Sequence, residues 1–179
     1  MNGDDRLHLI LHGAIVILAI LAACGAPPDS DSAGSGARPT GGRARGLAGR
    51  QLSIVGLRQG SSEDAVLDAL GRPDVASPAR YDGSLGDSVS MWTYDGVLVK
   101  VAGHRVVNIH CSAKRCVTAD GVRVDDPRSH VLNAYGPPRS VETMDAEVLK
   151  YAGAVDECTL SFTIREELIS AIDLACDGS

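Results

Sequence analysis

The side chains best suited to chemistry in this chain are its cysteines and histidines. Cys111, Cys116, Cys158 and Cys176 lie in the C-terminal two thirds of the sequence. Such thiols either hold a soft metal or oxidise to disulfides. The one candidate metal set is His110, Cys111 and Cys116, but it lacks C-x-x-C spacing and a fourth ligand. No metal and no cofactor are therefore expected. Four cysteines allow three pairings. Cys158 and Cys176 share number parity with Leu160, Phe162, Ile164, Ile172 and Leu174, hence one strand face. A hairpin turning at Glu167 would set them opposite each other, leaving Cys111 and Cys116 to close a short loop.

Nucleophilic and acid–base constellations are weak. His104 falls in a turn, and His130 has Ser129 as its nearest hydroxyl. Neither G-x-S-x-G nor H-E-x-x-H occurs. Asp125-Asp126 reads as a helix cap, and Asp120, Asp125 and Asp126 lack calcium-loop spacing. No catalytic residue is assigned, and a non-enzymatic protein is expected.

The fifth cysteine has a different setting. Residues 1–23 carry a short apolar run, unbroken from Ala14 to Ala23 and too short to span a bilayer. Such a run ending in small residues reads as a secretory signal. Leu21-Ala22-Ala23-Cys24 resembles the lipobox of bacterial lipoproteins. The resemblance implies cleavage before Cys24 and acylation of its sulfur and amino group, a lipid anchor holding the protein on a membrane. Gly25 is not the Asp that retains such proteins at the inner membrane, which favours the outer membrane.

The elements around these residues follow from composition and pattern. Hydrophobic residues make up 44% of the 179, yet aromatics only 3%, so the core must come from Val, Leu, Ile and Ala. A formal net charge of −6 argues against a nucleic-acid partner. Residues 24–50 are rich in Gly, Ala, Ser, Pro and Arg without apolar periodicity, and read as a lipidated N-terminus with a flexible linker.

The remainder repeats itself. Gly56 to Pro73 aligns without gaps on Gly121 to Pro138, with seven identities in 18 positions at an offset of 65. Cys111 and Cys176 keep the same offset. Two units are expected, 51–117 and 118–179. Each opens with a helix, capped by Ser61 or Ser62 in the first and by Asp126 with Pro127 in the second. Gly71 and Gly136, each with Pro close behind, end the helices. Three strands follow in each unit: Trp92 and Tyr94 alternate inward, then Val97, Val99 and Val101, then Val107, Ile109 and Cys111. The second unit substitutes Leu149 and Tyr151, then Leu160, Phe162 and Ile164, then Ile172, Leu174 and Cys176. The expected fold class is α+β, a tandem repeat of helix followed by antiparallel strands, with the helices packed on one sheet face.

Gly60 to Pro73, Trp92-Thr93-Tyr94 and the paired hairpins together resemble the SmpA/OmlA (BamE-like) bacterial lipoproteins. They resemble equally the β-lactamase-inhibitor proteins, which double the same unit. The resemblance implies a partner-binding scaffold of the cell envelope and transfers no catalytic residue.

By strand alternation, the opposite sheet face carries Met91, Lys100, Asn108, His110, Lys150, Thr163 and Arg165, with Thr93, Leu98, Ser161 and Asp173 among them. A mixed surface of this kind suits a non-obligate protein interface. The expected function is a lipid-anchored envelope scaffold, possessing a protein partner and a membrane anchor. The alternative is an inhibitor of an exported hydrolase such as a β-lactamase, presenting Asp95 or Glu166 from a hairpin tip.

Overall fold

The computed structural model of the protein describes residues 45–154 and 157–176. Cys24, the expected signal segment and most of the expected linker lie outside the described residues.

The described residues build one antiparallel sheet of nine strands with two short α-helices and a 3-10 turn at Gly49–Gln51. In chain order the elements are α1 (Glu63–Leu70), β1 (Val75–Ala76), β2 (Arg80–Asp82), β3 (Asp87–Tyr94), β4 (Val97–Ala102) and β5 (Arg105–Cys111). They continue with α2 (Arg128–Tyr135), β6 (Ser140–Thr143), β7 (Glu147–Ala152), β8 (Cys158–Arg165) and β9 (Leu168–Cys176). The strand order is β1-β3-β4-β5-β9-β8-β7-β6, and β2 also pairs with β3 beyond β1. The two parts of the sheet meet only where β5 pairs antiparallel with β9, Asn108 to Cys111 against Ala175 to Ile172.

The expected α+β class is thereby corrected. The molecule is mostly antiparallel sheet rather than a tandem of helix-plus-sheet units with helices as the packing layer. Three strands (β1, β2 and β6) leave no trace in the sequence pattern, because two to four mostly exposed residues carry no hydrophobic alternation. Each helix contributes a single fully buried side chain, Val66 and Val131. Most of the layer over the sheet comes instead from irregular chain: Leu47, Leu52, Ile54 and Leu57 before α1, and Cys116, Val122 and Val124 before α2, all buried. These close over Val99, Ile109, Leu149, Leu160, Phe162, Ile172 and Leu174, which the two-residue period of the strands sends to the same side.

The linker also ends earlier than its composition indicates. Leu47 is 5% exposed, and its N–H and C=O bond Ala152 and Ala154 at 2.8 Å each. Residues 46 to 50 therefore belong to the fold.

Local geometry does recur at the spacing of the sequence repeat. Gly56 and Gly121, Gly60 and Asp125, and Gly71 and Gly136 all hold positive φ. The Tyr94 hydroxyl donates to the Gly71 carbonyl at 3.3 Å, and the Tyr151 hydroxyl to that of Gly136 at 3.0 Å. Ser62 caps α1, accepting from the Ala65 N–H at 3.2 Å. The expected Asp126 cap is absent: α2 starts one residue later, after Pro127. The Asp126 carboxylate instead accepts from the Arg123 N–H at 2.7 Å and meets His130 Nδ1 at 2.8 Å.

Two bulges shift the strand faces. Pairing slips between Lys100 and Val101, so Val106 rather than Val107 enters the core. It slips again between Thr163 and Ile164, which lets Ile169 turn inward beside Ile172. A bulge inserts one residue and inverts parity beyond it, which simple alternation cannot foresee.

Candidate functional site: the open sheet face

The uncovered side of the sheet is laid out by strand register. One row runs Thr93, Leu98, His110, Asp173, Ser161, Lys150 and Ser140 across β3, β4, β5, β9, β8, β7 and β6. The next runs Met91, Lys100, Asn108, Ala175, Thr159 and Ala152. Six steps of roughly 4.8 Å make the first row about 29 Å long. Met91, Lys100, Asn108, His110, Lys150 and Thr163 are all half-buried on this face, and Arg165 stands exposed at the β8–β9 tip. His110 and Lys150 are three strand steps apart.

Lys100, His110 and Lys150 on this face each lie beside a carboxylate. His110 Nδ1 lies 2.6 Å from Asp173 Oδ1, Lys150 Nζ 2.6 Å from Glu142, and Lys100 Nζ 3.7 Å from Asp82. Two of these carboxylates come from the short strands β2 and β6, which the sequence pattern does not reveal. Shallow hollows mark both ends. One of about 540 Å³ is lined by Arg139, Lys150, Glu157, Cys158 and Thr159. Another, of about 570 Å³, is lined by Pro78, Arg80, Tyr81, Val89 and Met91.

Trp92 and Tyr94 point away from this face. Tyr94 is buried and Trp92 packs half-buried against the core. Tyr135, Tyr151 and Phe162 form a cluster with ring centroids 5.4 to 5.9 Å apart. Burial pushes the Tyr135 and Tyr151 hydroxyls up to about 12, so both stay neutral donors, Tyr135 to Thr118 Oγ1 at 2.7 Å.

The cysteines form Cys111–Cys116 and Cys158–Cys176 disulfides. That removes both thiolates from the His110, Cys111, Cys116 set, and alternation along β5 places His110 on the open face and Cys111 in the core. Asp120 accepts from Gln51 Nε2 at 2.9 Å and Asp125 pairs Lys114 at 2.8 Å, so the three aspartates have separate partners. His130 engages Asp126, and His104 lies 3.3 Å from Glu63. Among the described residues, no cluster of three His, Cys, Asp or Glu is arranged for a metal, and no helix is long and apolar enough to cross a membrane.

No protein-family model matches the sequence, and no curated protein is similar to it. Solved structures are similar in backbone only. An extracellular SCP-domain protein of Bacillus anthracis has TM-score 0.46 and 11% identity over 66% of this chain and 44% of that chain. A DUF4309 family protein of Bacillus subtilis has TM-score 0.38 and 16% identity over 65% and 78%. A cysteine-rich secretory protein of Staphylococcus aureus has TM-score 0.45 and 10% identity over 74% and 49%. The chain thus spans less than half the length of the first and third. The resemblance to SmpA/OmlA lipoproteins and β-lactamase-inhibitor proteins is corrected: no family model of either kind matches, and the described residues form a mostly antiparallel sheet rather than repeated helix-plus-sheet units. Its motif describes a helix closed by Gly and Pro and a strand opened by aromatics, local devices that unrelated folds share.

Proposed function

We propose that this is an exported, non-enzymatic binding protein that engages a protein partner of the cell envelope through the open face of its sheet. The observation that carries the reading is the face itself: seven strands contribute one continuous polar row with scattered apolar points, uncovered by any other described part of the chain. Export is supported by the two disulfides, which persist in oxidising compartments, and by the signal-like N-terminus. Lipidation at Cys24 and outer-membrane placement belong to the same proposal, resting on the Leu21-Ala22-Ala23-Cys24 sequence.

A second reading, inhibition of an exported hydrolase, is favoured by one feature. Glu166 is exposed at the tip of a tight hairpin with φ of 50°. Affinity capture from native envelopes separates the readings. Thr163→Arg should abolish capture of the face partner while Glu166→Ala leaves it intact. The reverse result would favour inhibition, and capture indifferent to both would sink the face.

A further inference from the structure

We propose that Cys158–Cys176 is a thiol-exchange site, open to a dithiol reductant, whereas Cys111–Cys116 is a closed structural bond. The two differ in access. Cys111 on β5 and Cys116 in the covering layer are both 0% exposed. Cys176 ends β9 half-buried; Cys158 is itself only 3% exposed but lines two hollows, the 540 Å³ one on the open face and one of about 260 Å³ bounded by Leu52, Arg58 and Gln59. Gln59 Oε1 lies 2.8 Å from Cys158 Sγ. A disulfide sulfur has no proton to give that oxygen; a thiol does, so the site already holds the acceptor its reduced form needs.

The exchange runs in two displacements. A thiolate of the dithiol attacks Cys176 Sγ, the more accessible sulfur; the Cys158–Cys176 bond breaks and Cys158 leaves with the electron pair. Cys158 takes a proton and donates it as S–H to Gln59. The second thiolate of the reductant then attacks its own sulfur in the mixed disulfide, forming the oxidised dithiol and releasing Cys176 as a thiol. Two electrons and two protons pass from reductant to protein. The opened bond lies next to Ala175, which pairs with Asn108 on β5 and Thr159 on β8. Reduction therefore removes the covalent tie at the end of the β8–β9 pair, one residue beyond the Asn108–Ala175 pair of the junction.

Native full-length protein incubated with dithiothreitol, alkylated and mapped by mass spectrometry tests this. Cys158 and Cys176 should be alkylated on the order of tenfold faster than Cys111 and Cys116. Equal rates, or Cys111 and Cys116 first, would overturn the proposal. Gln59→Leu should lower the reduced fraction at fixed dithiothreitol about threefold, the weight of one modest hydrogen bond. An unchanged fraction would contradict the reduced state described here.

Discussion

His110 and Asp173 meet across the β5–β9 junction, imidazole Nδ1 2.6 Å from carboxylate Oδ1, in the middle of the open face. Beneath them, Ile109 opposes Leu174 and Cys111 opposes Ile172 in the core. The junction is thus polar above and apolar below, over four residue pairs. Because the pair is half exposed, its coupling should be modest, about 0.5–1 kcal/mol. A double-mutant cycle of His110→Gln and Asp173→Asn, read by urea unfolding, checks it. Purely additive effects would show that the apolar pairs alone hold the junction.

Arg128 grips Glu147 with two hydrogen bonds, Nε at 2.7 Å and Nη2 at 2.8 Å, tying the first turn of α2 to the start of β7. Hydrogen bonding from Arg128 holds the Glu147 carboxyl below its ordinary value of 4.5. A depressed carboxylate binds fewer protons folded than unfolded. Its stabilisation is complete above about 4.5 and is lost as pH falls through the lowered value. Glu147→Gln should cost about 1 kcal/mol at neutral pH and flatten the acid limb of the unfolding curve.

At the other extreme, burial raises Tyr135 and Tyr151 to about 12 from 10.0. Here the folded state holds the proton more tightly. The stabilisation is complete below about 10 and disappears as pH rises toward 12. Tyr135→Phe loses the bond to Thr118, costing about 1 kcal/mol at neutral pH, and should shallow the alkaline loss of stability. Thermal unfolding across that window measures both.

The β8–β9 hairpin turns through Glu166 and Glu167, with φ of 50° and 63°. Left-handed backbone costs a side-chain-bearing residue about 1–2 kcal/mol relative to glycine, and two-residue hairpins of this kind favour Asn-Gly. Glu166→Asn with Glu167→Gly should raise stability by about 1 kcal/mol, seen as a higher Tm. A lower Tm would mean that the glutamate side chains stabilise the tip.

The sequence discloses the inward faces of β4, β7 and β8, because Val97, Val99, Val101 and Leu160, Phe162, Ile164 alternate without interruption. Parity favours the Cys158–Cys176 pairing that the structure holds, while the connectivity of the four cysteines as a set is not fixed by the sequence. It does not disclose that β5 and β9 join the halves into one sheet, since nothing in either strand names its neighbour. Nor does it reveal Asp82 and Glu142 beside Lys100 and Lys150, because β2 and β6 are too short to carry a period. The covering layer escapes as well: Leu47, Leu52 and Val122 lie in segments without helical or strand repeat, yet they bury as deeply as the strands.

The most direct test of the binding proposal is photocrosslinking in cells, with a photoreactive residue at Lys100 or Thr163 on the open face. Arg123 serves as control; it is exposed on the covering layer between buried Val122 and Val124. The same envelope protein should crosslink from both open-face positions and be absent from the control. An adduct equally strong from Arg123, or none from Lys100 and Thr163, would contradict the open face as the place where this protein works.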